Sequence, residues 1–339
     1  MTIKARDKEI KIRTYVFIDL SNLLSFIKDS IVPKRSRNKW SWTEPTFGRI
    51  FGNIILESFK EIPIEYKKDD KIVNSYTSYF VKPFRIYLYG SCTPRELRSF
   101  KILIDVLKVS SDVIPYMIIR GRKQKEKTVD VRLAVDMLTY AIEDKFDLAI
   151  LVTGDSDFVP AVERVRDLGK KIYISQFYGY ASYKLIEVAD RYLPLDYEYI
   201  SLGQIPHIHV PLDIFSADYS ELILNKESYG EYFIEALNEN INELCKNIIC
   251  PDKIDDIISY LGDYGKFKTK ITMIGDFLYE FIEKIKFKPA DELIKPHSTG
   301  DMDIEEYINK TTSVQRSISR LIFQCNILYC LKDKLSDKF

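Results

Sequence analysis

The sequence contains few of the residues that build zinc sites or disulfide frameworks. Its 339 residues include only three histidines and five cysteines, and no two cysteines form a CxxC pair. Neither kind of framework is therefore expected, and a reducing, cytoplasmic location is the simplest assumption. No run of about 18 apolar residues and no N-terminal signal peptide is found, so neither membrane spanning nor secretion is predicted.

Two common kinds of catalytic motif are also missing. The first apolar run leads into "DLSNLLSF", which contains no glycine, so a phosphate loop or dinucleotide fingerprint is excluded. His207 and His209 lie in a linker-like stretch, and His297 lies in a different region. A Ser-His-Asp arrangement is therefore not predicted.

Acidic and basic residues balance over the whole chain but not within its two parts. Residues 1–200 hold 34 Lys and Arg against 27 Asp and Glu, whereas residues 201–339 hold 16 against 23. This asymmetry suggests two parts with different partners, of which the first is better suited to a polyanion.

Short apolar runs alternate with helical patterns over the first two hundred residues. Five runs without strict alternation are typical of strands covered on both faces: 14–20, 85–90, 113–121, 147–154 and 170–177. Helical spacing connects Val129, Leu133 and Met137, and a second helix is predicted after Phe158, with Gly169 beyond its end. This order predicts an α/β fold with a doubly wound, mostly parallel sheet.

The pattern indicates two domains. The first is predicted over 1–204, with an insertion at about 30–82 that includes a helix near 46–60. The second, over 212–339, is predicted to be smaller and mainly α-helical. Within it, 303–333 reads as helix, turn, helix and short strand, which suits a winged helix; a helical packing or dimerisation module is the favoured alternative because the region is acidic.

Acidic residues follow two of the predicted strands and begin one helix. Asp19 ends the first strand, Asp155 and Asp157 follow the fourth in "TGDSD", and Asp130 lies in the first turn of the helix before the fourth strand. Ligands of doubly wound sheets bind at the carboxyl ends of the strands, where these residues are expected. Converging carboxylates predict an oxygen-lined pocket for Mg²⁺ or Mn²⁺.

Each acid also has a simpler structural interpretation. Asp19 and Asp157 could cap helices, and Asp130 could favour the helix dipole. Asp155 is harder to explain in this way, since Asp157 already supplies a cap. Asp136 lies four residues after Arg132, where a surface ion pair is expected.

Three segments together resemble the NYN domain, a branch of the PIN-like nucleases: "YVFIDLSNL", "KEKTVDVRLAVDM" and "LVTGDSDFVPAVERVRDLGKKIYI". The resemblance covers about residues 14–195, and the C-terminal region is not recognised. It implies a Rossmann-like sheet whose acids bind one or two divalent metal ions and hydrolyse RNA, or less often DNA.

The resemblance also assigns residues to roles. It implies that the active site comprises Asp19, Asn22, Asp130, Asp155 and Asp157, with the four aspartates as metal ligands. Asn22 would orient a ligand or a water molecule. Thr128 stands where a glycine is common in the family, and the insertion and C-terminal region leave the substrate open.

Basic and aromatic residues near the acids are candidates for substrate binding. "RGRKQKEK" leads into Asp130 and could neutralise phosphates, although a solvated basic loop is the alternative. Trp40 and Trp42 could stack on bases or could pack the insertion. The residues assigned to substrate binding are Ser21, Arg122, Lys123, Lys125, Lys127 and Ser156.

These observations favour a metal-dependent endoribonuclease whose C-terminal domain recruits substrate, forms a homodimer or binds a protein partner. One alternative is a nucleic-acid-binding or regulatory module whose acids no longer cleave. Another is a nuclease toxin or defence effector controlled by a partner. The sequence does not decide whether the substrate is RNA or DNA, or whether cleavage is endonucleolytic or exonucleolytic.

Overall fold

The computed structural model describes residues 2–5, 8–59, 62–66, 77–81, 83–109, 111–119, 127–195, 222–224, 227–248, 254–285 and 304–336. The chain divides into two compact units that interleave along the sequence. The first comprises Met1–Leu23, Trp42–Gln176 and Ala181–Leu195, and the second comprises Leu24–Ser41, Phe177–Tyr180 and Asp196–Phe339. The boundaries predicted from sequence, at 204 and 212, stay a prediction.

The first unit is built on a six-stranded parallel sheet. Its strands are β3 (Thr14–Asp19), β6 (Arg85–Cys92), β7 (Asp112–Ile119), β8 (Leu148–Val152), β9 (Lys171–Gln176) and β10 (Arg191–Pro194), in the spatial order β10-β9-β8-β3-β6-β7. The chain starts in the middle at β3, builds towards β7, and then returns to β8 on the other side of β3. This is the doubly wound order, and its switch point lies between β3 and β8. The predicted α/β fold is confirmed.

Two hairpins lie outside this sheet, and the helices of the unit connect its strands. The hairpins pair β1 (Thr2–Ala5) with β2 (Lys8–Lys11), and β4 (Ile62–Tyr66) with β5 (Thr77–Val81). The helices are α1 (Leu20–Ile31), which continues into the second unit, α2 (Pro45–Ser58), α3 (Leu97–Leu107), α4 (Lys127–Ile142), α5 (Val159–Asp167) and α6 (Tyr183–Val188). The hairpins and β10 were not predicted.

The predicted apolar positions form the core beside the sheet. Val129, Leu133 and Met137 of α4 are buried in one cluster with Phe17 and Leu151 of the two central strands. Helices cover the central strands of the sheet, and these strands therefore lack an alternation of apolar and polar residues, as expected. The helical stripe of α4 is confirmed.

The helix α5 also begins and ends as predicted. Phe158, Val162 and Val165 are buried, and Pro160 lies in the first turn. Gly169 follows the helix with φ of 74°, a left-handed conformation that glycine adopts without steric cost.

The strand β7 differs from the expectation that it is covered on both faces. It forms one edge of the sheet, and Ile114 and Ile119 are exposed. An edge strand has a neighbour on one side only, so apolar composition alone does not place it in the interior.

Ion pairs connect the residues that precede three strands of the sheet. Arg13 precedes β3, and its Nη2 lies 2.7 Å from Oδ1 of Asp147, which precedes β8. The backbone N–H of Arg13 also donates to Asp147 Oδ2 at 2.8 Å. Asp144 binds both Arg13 and Lys170, the residue before β9. The side chain of Asp147 raises the pKa of the Arg13 guanidinium despite partial burial.

The insertion is partly a packed layer of the first unit. Its helix α2, predicted near 46–60, lies against α3 with Gly48 and Gly52 at the contact. Trp42 is 2% exposed and packs on Phe47 and Phe51, with ring centroids 5.2 Å apart in both pairs. Trp42 therefore packs the insertion and does not present a face for base stacking.

The second unit is helical. Besides the end of α1, it contains α7 (Glu227–Asn247), α8 (Ile254–Leu261), α9 (Tyr264–Ile285) and α10 (Ile304–Ser336). The helix α10 runs through Thr311–Ser313 without interruption, so the helix-turn-helix and terminal strand predicted for 303–333 are wrong. Val314, Ile318 and Leu321 are buried as core residues of this one helix.

A buried polar network holds part of the second unit together. The Nδ2 group of Asn240 on α7 donates to the Ser317 carbonyl at 3.0 Å and to Gln324 Oε1 at 3.2 Å. Gln324 in turn donates to the carbonyl of Ser30 on α1 at 2.6 Å. These hydrogen bonds connect α1, α7 and α10, although among the described residues the side-chain oxygen of Asn240 is buried without a hydrogen-bond partner.

Two further features concern the cysteines and the lengths of the helices. Cys245 is disulfide-bonded, which was not expected, whereas Cys92 and Cys325 are buried free thiols. Disulfides are rare in a reducing cytoplasm. No helix among the described residues is long and apolar enough to cross a membrane.

The contact between α2 and α3 gives a test of the fold. A Cβ atom at position 48 would lie 2.0 Å from the carbonyl oxygen of Ser99, which is backbone and cannot move aside easily. We expect Gly48→Ala to destabilise the protein by roughly 1–3 kcal/mol, measured by urea unfolding. Exposed glycine-to-alanine changes inside helices usually stabilise, so the sign is diagnostic. Asn53→Ala on the same helix is the control, and a stabilising Gly48→Ala would contradict the packing.

Candidate active site

The carboxyl group of Asp19 lies at the switch point of the sheet. Asp19 is the last residue of β3, and Ile18 pairs with Val152, so Asp19 stands beside Thr153 at the end of β8. Its Oδ2 accepts a hydrogen bond from the Thr153 hydroxyl at 2.9 Å, and its Oδ1 accepts from the Asn22 N–H at 3.2 Å. Asp19 is only 4% exposed. The sheet therefore holds one buried carboxylate where doubly wound folds bind their ligands.

Burial raises the pKa of Asp19 to about 6, although the hydrogen bonds from Asn22 and Thr153 favour its charged form. The negative charges of Asp130 and Asp155 raise the pKa of Asp19 further. Asp130 and Asp155 therefore act on Asp19 through space. A buried carboxylate with acidic neighbours favours a proton or a cation in its surroundings.

Asn22 connects three segments at this edge. Its side-chain oxygen accepts from the N–H of Gly154 at 2.7 Å and from Nε2 of Gln176, the last residue of β9, at 2.6 Å. Both lone pairs of that oxygen are thus engaged, so Asn22 positions the loop after β8. The sequence analysis did not identify Gln176 or Thr153 as site residues. The polar Gln176 near the end of the apolar run "KKIYISQF" could have indicated that this strand also reaches the site.

The loop after β8 is held by Asp155 and not by Asp157. The Oδ1 atom of Asp155 accepts from the N–H of Asp157 at 2.9 Å and caps the 3-10 turn Ser156–Phe158. The helix α5 follows from Phe158 without a side-chain cap. Asp157, weighed as a cap for this helix, therefore does not cap it with its side chain, and the capping role belongs to Asp155. Asp155 is half-buried and Asp157 is exposed.

The helix α4 contributes Asp130 from its first turn. Asp130 is half-buried and follows Val129, which packs into the core of the unit. Asp136 on the same helix binds Arg132 at 2.8 Å, as predicted, and also accepts from the hydroxyl of buried Tyr89 at 3.0 Å. Asp136 is therefore a structural residue.

The candidate substrate-binding residues are placed only in part. Ser21 is half-buried at the start of α1, and Ser156 is exposed in the 3-10 turn. Lys127 begins α4. The other three, Arg122, Lys123 and Lys125, lie outside the described residues.

The donor chemistry of this edge suits a hard divalent cation. Asp19, Asp130 and Asp155 offer carboxylate oxygens, and the pKa of Asp19 responds to the other two acids. Within the described ranges, however, no three acidic, histidine or cysteine side chains are close enough to form a ready coordination shell. Hydrogen bonds hold both oxygens of Asp19 in place. To bind one ion together with Asp19, the side chains of Asp130 and Asp155 would have to move closer to it.

Three comparisons relate the chain to known proteins. The family model of the NYN domain matches residues 13–196. No curated protein matches. Among solved structures, a protein of unknown function from Vibrio parahaemolyticus RIMD 2210633 is similar: it is 21% identical, the match covers 57% of this chain and 97% of that chain, and the TM-score is 0.32. A likeness at that score carries no argument here.

The buried carboxylate gives a prediction about stability in metal-free solution. The folded-state pKa of Asp19 is about 6 against an ordinary 3.8, so the folded state binds this proton more tightly than the unfolded state. The favourable contribution is complete below about pH 4 and is lost as the pH rises through about 6. We expect Asp19→Asn to raise the free energy of unfolding at neutral pH by up to roughly 3 kcal/mol.

Urea unfolding in EDTA at about pH 4 and at neutral pH measures this effect. The gain should be present at neutral pH and nearly absent at the lower pH. Asp167→Asn, which changes an exposed acid at the other end of α5, is the control. If Asp19→Asn lowered the free energy of unfolding by the same amount at both pH values, burial of the charged carboxylate would not destabilise the folded protein.

Proposed function

Because the chain belongs to the NYN domain family of PIN-like nucleases, we propose that it is a metal-dependent nuclease that cleaves phosphodiester bonds. RNA is the preferred substrate in this proposal, ahead of DNA, and endonucleolytic cleavage is preferred to exonucleolytic cleavage. A cytoplasmic location and a homodimer or protein partner formed through the second unit are part of the same proposal.

One observation carries the proposal: the buried Asp19 carboxyl stands at the switch point with Asp130 and Asp155 acting on it. Asp19 and Asp155 each accept a local backbone hydrogen bond, but an uncharged acceptor could do the same, and burial of a carboxylate among like charges is unfavourable. Such a cost is typical of functional sites, where a bound cation reverses it.

The carboxylates would hold Mg²⁺ or Mn²⁺, with Asp19, Asp130 and Asp155 as direct ligands and Asp157 direct or through water. The ion would lower the pKa of water and absorb charge on the phosphate oxygens.

The chain's own residues would perform the positioning. Thr153 and the Asn22 N–H hold both oxygens of Asp19, which fixes the direction in which its remaining lone pairs point. Asn22 holds the Gly154 N–H, and so sets the start of the loop that carries Asp155. Ser21 and Ser156 lie one or two residues from these acids, where their hydroxyls could donate to phosphate oxygens.

Substrate capture is assigned to the basic segment before α4. Arg122, Lys123, Lys125 and Lys127 immediately precede Asp130 in the chain, so their cations would offset the repulsion between phosphates and the acidic edge.

The second candidate is a module that binds nucleic acid without cleaving it. It is favoured by the lack, among the described residues, of three acids already at coordinating distance. The two candidates differ in whether metal binding and cleavage depend on the acids. A nuclease held inactive by a partner protein would cleave only after that partner dissociates.

Metal binding is tested first without reference to activity. We expect Mn²⁺ to raise the midpoint of thermal unfolding of the full chain, because binding to the folded state alone stabilises it by mass action. Asp19→Asn and Asp155→Asn should each weaken this rise at least tenfold in Mn²⁺ concentration, an order-of-magnitude expectation for the loss of one carboxylate ligand. Asp167→Asn should respond as the wild type does. A Mn²⁺ response unchanged in both site variants would remove the proposed metal site.

Cleavage is tested with labelled single-stranded RNA and DNA in Mn²⁺, Mg²⁺ or EDTA. We expect cutting that requires metal and falls by at least about a hundredfold in Asp19→Asn and Asp155→Asn, with nucleic-acid binding retained. Internal products would identify an endonuclease, and comparison of the two polymers would identify the substrate.

The controls separate the candidate functions. Asp136→Asn tests the structural acid of the same α4 helix, and Asp167→Asn tests an exposed acid elsewhere. Binding without cutting under any metal would favour the second candidate. Cutting that survives both site variants would contradict the assignment of these acids.

A further inference from the structure

A cavity of about 260 Å³ lies within the second unit. It is formed by the end of α1 and the residues after it, the loop 177–180, and the helices α7 and α10. The loop contacts α10 closely: Gly179 has φ of 77°, and a Cβ atom there would lie 2.8 Å from the backbone nitrogen of Arg316. The cavity is thus a built part of this unit.

Cations predominate among the side chains that line this cavity. Four of them are basic and two are acidic, which leaves a net charge of about +2. The basic ones are Lys34, Arg37, Arg316 and Arg320, and the acidic ones are Asp29 and Glu243. Lys34 and Arg37 come from a basic segment early in the chain, whereas Arg316 and Arg320 come from the acidic C-terminal part.

Arg320 is the most buried of these four cations. It is 5% exposed, and its Nη2 group lies 3.4 Å from both Glu243 Oε1 and Ser317 Oγ, beyond the usual hydrogen-bond range. Its Nε group donates to the Arg316 carbonyl at 3.2 Å. Glu243 is engaged more closely by Lys34, at 2.9 Å. A buried guanidinium with such long contacts to its counterion favours a further anion.

Arg37 and Arg316 are held in place by other contacts. The Nη1 group of Arg37 lies 3.0 Å from Asp29 Oδ1, and its Nε group donates to the Val32 carbonyl at 3.2 Å. Arg316 donates to the Gly179 carbonyl at 2.7 Å and lies over the ring of Tyr180. Their guanidinium groups are therefore pre-oriented, which lowers the entropic cost of binding an anion.

The remaining lining residues offer polar groups and little surface for a base. Hydroxyls come from Tyr180, Thr312 and Ser313, which can donate to oxyanions. Tyr180 is the single aromatic residue among the described residues that line the cavity, and its ring already contacts Phe26 edge-on and Arg316. Recognition would therefore rest on charge and hydrogen bonds.

We propose that this cavity binds the phosphate group of a phosphomonoester. A phosphomonoester carries close to two negative charges at neutral pH and three strong acceptor oxygens, which match the excess of two cations and the planar donors of the arginines. The volume is below the roughly 300–1,000 Å³ of pockets that enclose drug-sized ligands, so it admits a phosphate and part of the attached group. The phosphate would come from a small metabolite or from the end of a nucleic-acid strand.

Binding is measured by calorimetry on the full chain in EDTA, so that the outcome does not depend on nuclease activity. The probes are adenosine 5′-monophosphate, inorganic phosphate and adenosine, at matched ionic strength. We expect the two phosphates to bind and adenosine not to bind. Arg316→Gln and Arg320→Lys should each weaken phosphate binding about tenfold or more, since each loses a charge-assisted or bidentate hydrogen bond.

Lys332→Gln removes a cation from the same helix α10, where it pairs with Asp276 at 3.0 Å, and should leave phosphate affinity unchanged. Arg316 is exposed, so its variant is expected to fold even if Arg320→Lys does not. Single-stranded RNA with a 5′-phosphate is compared with the same RNA carrying a 5′-hydroxyl. Tighter binding of the 5′-phosphate that depends on Arg316 would identify a strand end as the source. Equal binding of the two RNAs would identify a small molecule. Adenosine binding as well as the monophosphate, or equal phosphate affinity in all variants, would overturn the proposal.

Discussion

The burial of the Asp19 carboxyl group is the constraint on which the site depends. A carboxylate inside a sheet edge is tolerated only if its oxygens are hydrogen-bonded, and here Thr153 and the Asn22 N–H supply those bonds. The Asn22 N–H is a local donor, but the Thr153 bond requires the parallel pairing of β3 with β8 in the observed register, because a slip of one residue would turn Asp19 to the other face of the sheet. The same register brings the loop after β8 within reach of Asn22. Fold and site are therefore specified together.

Much of the first unit could be predicted because its periodicities have physical causes. Central strands covered by helices lack alternation, and amphipathic helices repeat near 3.6 residues, so β3, β8 and the buried stripe of α4 follow from the letters. The grouping of Asp19, Asp130 and Asp155 follows from the rule that parallel strands share one functional edge. In the structure, the charges of Asp130 and Asp155 raise the pKa of Asp19.

The remaining features depend on tertiary contacts that periodicity does not encode. Gln176 joins the site only because β9 lies beside β8, so its partner Asn22 is 154 residues away. The turn residues Thr311–Ser313 suggested a helix boundary, since hydroxyl side chains compete for backbone hydrogen bonds. In the structure, burial of Val314, Ile318 and Leu321 outweighs that weak local preference and α10 continues. The short distance between two acids in "GDSD" likewise did not reveal which one caps the turn.

The cap formed by Asp155 has a practical consequence. Asparagine accepts the same backbone hydrogen bond as aspartate at such positions and is an equally good cap. Asp155→Asn therefore removes a charge from the edge of the sheet while the turn at Ser156–Phe158 keeps its acceptor. A protein altered in this way would retain the shape of the edge at which the proposed substrate binds. It would then serve as bait for recovering the intact native target from cells, because whatever it holds would stay uncut.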